Sequence, residues 1–74
     1  MEKIQIDVET EEPPGGIPIP KSLRWADGRH FKIARVLYYS ASPTGEYEGI
    51  RYTIIIGSAE KYIYRINHKW YVMV

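Results

Sequence analysis

The chain contains no cysteine. That removes disulfides, the usual staple of small secreted domains, together with thiolate metal sites and thiol nucleophiles, and it fits a reducing, cytoplasmic setting. Long apolar runs are missing too. Nothing approaches the roughly 20 apolar residues that a membrane-crossing helix needs. The opening MEKIQIDVETEEPP alternates charged and apolar residues, so no continuous apolar segment suggests a signal peptide. Neither sign of charge dominates, with a net of only +1. Histidine occurs only as His30 and His68. A zinc site would need two carboxylate ligands besides, and no close-spaced pair is present, so no metal or other cofactor is expected.

Catalytic patterns are equally thin. Ser22, Ser40, Ser42 and Ser58 sit in turn-like surroundings, with no Gly-x-Ser-x-Gly elbow and no Ser-His-carboxylate order. Gly15-Gly16 lacks the Lys-Ser/Thr that completes a phosphate loop and lies among prolines rather than before a helix. The chain is expected not to be an enzyme.

What is present is aromatic and β-branched. Ten of the 74 residues are aromatic, seven of them tyrosine. A chain this short makes one domain at most, and buries only about 60% of its unfolded surface. Charge is unevenly spread. Residues 1–12 hold five acids against Lys3, whereas residues 13–74 hold nine cations against four acids. A basic body with an acidic arm hints at a polyanionic partner, or at a body that binds its own arm.

Strand signals recur at short intervals. Ile4, Ile6 and Val8 alternate with polar residues, the period of a half-buried strand. EEPPGGIPIP removes backbone donors at four prolines and reads as an extended connection, with Ile17 and Ile19 packing along a sheet edge. Asp27-Gly28 lies between SLRW and RHFKIARVLYY, where a type I′ hairpin turn is expected because glycine accepts positive φ. That turn makes Trp25 and Phe31 inward-facing partners and leaves Arg29 and His30 near its tip.

Phe31 and Ile33 set one phase, Val36 and Tyr38 the other, which predicts a bulge or sharp bend near Ala34-Arg35. SASPTGEYEG is a polar connection with Pro43 and Gly45 as turn residues. IRYTIII, KYIYRI and WYVMV follow as strands, separated by turns at GSAE and NHK. No window shows a sustained 3.6-residue period.

The expected fold is all-β: a small curled antiparallel meander, or partly open barrel of SH3-like or OB-like size, with five or six strands. It occupies residues 1–74 as one domain: an acidic first strand (1–12), a Pro/Gly-rich connection (13–20) and a meander (21–74).

One stretch resembles a known family. Ile4-x-Ile6-x-Val8, then Pro20, Leu23, Trp25, Gly28-Arg29, Phe31, Ile33, Val36-Leu37, and finally Arg51-Tyr52 and Trp70 are similar to short bacterial proteins of unknown function with an hWxGRxYxVxxVL core. Members stand alone or follow a Y-family-polymerase-like mutasome protein. The match spans Leu23 to Leu37, with Asp27 inserted before Gly28 and Tyr38-Tyr39 where the family tends to carry charge and a Trp. The resemblance implies a small β domain accompanying DNA-tolerance machinery and supplies no catalytic residue.

Trp25, Phe31, Tyr52 and Trp70 are in phase with core aliphatics. In KYIYRI either Tyr62 and Tyr64 face the core, or Ile63 does and the tyrosines form an outer stripe. In the second case Arg29, Arg35, Arg51, Lys61, Tyr62, Tyr64, Arg65 and Lys69 would make a weak surface for single-stranded nucleic acid, with rings stacking bases and cations meeting phosphates. The alternative is a protein-binding or homodimerising module that uses 70–74 as an edge strand, with Tyr71 and Met73 on its second face.

Overall fold

In a computed structural model, residues 2–42 and 44–74 are described; the turn expected at Pro43 lies outside them. Seven strands form one antiparallel sheet in the order β3-β2-β1-β7-β6-β5-β4, curled into a half-barrel, with no helix among the described residues. The strands are β1 (Lys3–Glu11), β2 (Ile19–Arg24), β3 (His30–Lys32), β4 (Arg35–Ala41), β5 (Ile50–Ile56), β6 (Ala59–Ile66) and β7 (Lys69–Met73). The count exceeds six because the strand expected to bend at Ala34-Arg35 does bend there, and its two arms are β3 and β4.

That bend curls the sheet. The Ile33 amide donates to Lys21 on β2 and the Ala34 amide to Ile55 on β5, so consecutive residues bond in opposite directions. β1 turns a second corner: Lys3 to Ile6 pair with β7, and Asp7 to Glu11 pair with β2. The first strand is therefore a core strand and not a detached acidic arm. It runs through Glu11, and β2 starts at Ile19, so the connection spans 12–18 rather than the expected 13–20. Pro20 is tolerated inside β2 because the β1–β2 register slips beside Thr10, where a ladder donor is dispensable.

The core follows the alternation. Ile6, Leu23, Ile33, Tyr52, Ile54, Ile63, Trp70 and Val72 form one buried cluster, with Trp25, Phe31 and Ile17 half-buried against it. The Tyr52 and Trp70 rings lie 5.0 Å apart. Burial pushes the Tyr52 phenol above the ordinary tyrosine range, and the protonated hydroxyl donates to the Pro18 carbonyl at 2.7 Å. This bond ties the proline segment to the sheet.

The strand 70–74, expected as a free edge, is central. β7 lies between β1 and β6, because the chain's first strand returns to pair with its last; the edges are β3 and β4. The Asp27-Gly28 turn also differs. Gly28 alone has positive φ, and bonds from the Gly28 amide to Trp25 and from the Trp25 amide to Arg29 close a three-residue loop with glycine in the left-handed position. A type I′ turn would need positive φ at Asp27 as well. Asp27 instead accepts the Arg29 amide at 3.0 Å, which lowers its pKa. The type I′ geometry occurs at Asn67-His68, both with positive φ between the paired Ile66 and Lys69.

Candidate binding surface

Ile63, not the tyrosines, faces the core, so Tyr62 and Tyr64 lie on the outer face of β6. Their fates differ. Tyr64 is buried because Tyr47, from the β4–β5 connection, folds over it with ring centroids 5.8 Å apart. The Tyr47 hydroxyl is fixed by Ser40, 3.0 Å from its Oγ and 3.1 Å from its carbonyl oxygen. Arg51, opposite Tyr64 on β5, holds its guanidinium 4.5 Å from the Tyr47 centroid and 4.4 Å from that of Tyr62. The cation is sandwiched between two rings, which stabilises both and pins the connection. Arg51 and Tyr64 are thus engaged internally, while Tyr62 keeps 45% of its surface exposed.

Thr53 shares this outer face, opposite Tyr38 on β4 and Tyr62 on β6. It is 2% exposed and its hydroxyl has no hydrogen-bond partner. Removing a desolvated hydroxyl while keeping the side-chain shape relieves its penalty. Thr53→Val is therefore expected to raise stability by about 1 kcal/mol, read from the urea unfolding midpoint. A lower midpoint would mean that the hydroxyl is not unpaired in solution.

The β2–β3 hairpin and the β5–β6–β7 end of the sheet enclose a groove of about 320 Å³ lined by Trp25, Arg29, Phe31, Ile56, Lys61 and Tyr62, among others. No Asp or Glu side chain lines it. Trp25 and Phe31 are here because the hairpin sets them on the core-facing side near its tip, where the fold only half covers them. Asp27 grips the Arg29 Nε at 2.7 Å, and the guanidinium lies 5.7 Å from the Phe31 centroid. Lys61 is opposite Ile54, so it shares the core-facing side of β6 and emerges where the barrel opens.

The eight residues expected to form one surface therefore fall in separate places. Arg29, Lys61 and Tyr62 meet at the groove, and Tyr62 joins it to Arg51 and Tyr64. Arg65 and Lys69 line a different cleft with Asp7, Glu12 and His68, and an Arg65 Nη lies 2.9 Å from His68 Nδ1. Arg35 opens β4 beside Ile55. His30 turns toward β1, 3.2 Å from Ser22 Oγ and 3.9 Å from a Glu9 carboxylate oxygen, and Lys21 pairs with Glu11 at 3.0 Å. Acids of the first strand thus find partners within the fold.

No protein-family model, curated protein or solved structure matches the chain. Among the described residues no three His, Asp or Glu side chains cluster as a metal site. What the sequence reading missed is the split role of the aromatics: Tyr47 as a clamp, and Trp25 and Phe31 as groove walls. The Gly45 and Gly49 bracket around Tyr47 was the available signal, since it frees that connection to fold back.

Proposed function

We propose that this chain is a non-catalytic binding module that engages single-stranded nucleic acid through the groove between the β2–β3 hairpin and β6. One observation carries the reading: two incompletely buried aromatics, Trp25 and Phe31, share a cleft with Lys61 and the Asp27-held Arg29, and the exposed Tyr62 borders it from the outer face of β6. Flat rings beside cations suit bases joined to phosphates, and each stacked base contributes about 1–3 kcal/mol. The groove's volume lies at the low end of ligand sites, about 300–1,000 Å³, which suits one or two bases rather than a duplex. The resemblance to proteins that accompany DNA-tolerance machinery points the same way.

Titration of a short oligothymidylate at low salt is expected to quench the fluorescence of the half-buried Trp25. Tyr62→Ala should weaken binding by about tenfold, the lower part of the stacking range. Lys61→Gln should flatten the salt dependence by about 0.7 in the log-log slope, the value for one phosphate contact on a single strand. Absence of quenching at low salt, or an unchanged affinity in Tyr62→Ala, would falsify the assignment. A second reading, self-association, is favoured by the free edge at β4.

A further inference from the structure

We propose that β4 is a self-association edge, through which two copies pair antiparallel about a two-fold axis at Tyr39. Of the two strands that end the sheet, β3 is short and carries His30 and Lys32, which suits an edge that must not pair. β4 is built the other way. It runs seven residues, RVLYYSA, with no proline, no glycine and no lysine, and its only charge is Arg35 at its first position. Leu37, Tyr38 and Tyr39 are 39%, 54% and 53% exposed, a consecutive trio of large side chains on a strand with one unpaired edge. Two features blunt it, the register slip at Leu37 and the Tyr47 hydroxyl held on Ser40. Beyond the slip, Tyr38 to Ala41 pair regularly with β5, leaving a regular outer edge.

The strand is complementary to a second copy of itself. With Tyr39 facing its own copy, Tyr38 meets Ser40 and Leu37 meets Ala41 of the partner, so each pair joins residues of one sheet face, as antiparallel pairing demands. The two Arg35 residues then lie at opposite ends of the new ladder, about 27 Å apart by strand rise, and no like charges oppose one another. A different protein would need a matching strand. A copy of this chain supplies one whose pairs are aromatic, aliphatic and hydroxyl-bearing, the combinations that stabilise cross-strand neighbours. An interface of one strand pair and its flanking rings falls below the roughly 1,200 Å² of stable complexes, so the dimer is concentration-dependent. It uses none of the groove residues and stands apart from the nucleic-acid reading.

Sedimentation velocity over a wide concentration range is expected to show the wild-type chain shifting from monomer to dimer. Tyr39→Lys, which opposes two ammonium groups at the axis, should stay monomeric at every concentration with an unchanged circular dichroism spectrum. Because the chain has no cysteine, a single introduced thiol reports intermolecular contact alone. Tyr39→Cys should oxidise to a disulfide dimer at least tenfold faster than the turn variant Ser58→Cys. A wild-type chain that stays monomeric throughout, a Tyr39→Lys variant that dimerises like wild type, or equal oxidation rates for the two thiols would each overturn the proposal.

Discussion

Replacing Trp70 with alanine is expected to remove about half of the folding free energy. Trp70 is 7% exposed, stacks near Tyr52 and sits opposite Ile6 on β1 and Arg65 on β6. It therefore packs at the seam where the first and last strands join the two hairpin systems. Truncating a buried Trp to Ala costs about 3–5 kcal/mol, whereas a domain of this size has about 4–11 kcal/mol in total at 0.05–0.15 kcal/mol per residue. Amide dispersion in NMR spectra and the urea midpoint at low temperature read the result. Trp25→Ala is the internal control. Its partly buried ring should cost less, so equal losses at the two positions would contradict this core.

Gly49→Ala is expected to destabilise by at least about 2 kcal/mol, combining left-handed backbone strain with a steric clash. Gly49 has φ +69, and an added Cβ would strike the Arg65 carbonyl oxygen and lie 3.0 Å from Ile66 Cγ1. A backbone atom cannot rotate away, so the β4–β5 connection must lift, taking Tyr47 off Tyr64 and Arg51. Gly45, also at positive φ but with open space around it, separates the two causes. Gly45→Ala should cost only the strain, about 1 kcal/mol. The Arg51 Nε–H resonance, shifted by two flanking rings in the wild type, should move toward its ordinary position in Gly49→Ala and not in Gly45→Ala. If both variants behave alike, the connection is not clamped as described.

Much of the architecture was legible because strand alternation is a local signal. Ile4-Ile6, Ile50-Tyr52-Ile54 and Trp70-Val72 face inward as their phase requires, and the phase change between Ile33 and Val36 located the bend. Strand order was not legible. Periodicity states which side of a strand is buried and nothing about its neighbours, so β7 read as an edge until β1 was seen beside it. Turn type depended on one extra residue: Asp27-Gly28 signals a hairpin, but Ala26 enters the loop and only glycine takes positive φ. The binding surface was legible by residue type and not by grouping. Alternation put Tyr62 and Tyr64 on one face without saying which, and the Tyr47 clamp, which exists only in three dimensions, covers one and leaves the other open.

The pairing of β1 with β7 has a consequence for how the chain acquires its shape. The Glu2 and Val74 backbones exchange hydrogen bonds, so the ladder is zipped between residues separated by almost the whole sequence. During synthesis the opening strand emerges early and must wait, unpaired on that side, until the closing strand leaves the ribosome. Non-local closure of this kind slows folding relative to hairpin formation. The β5–β6–β7 meander, with its two-residue turns, can organise first and serve as the template onto which the waiting strand docks.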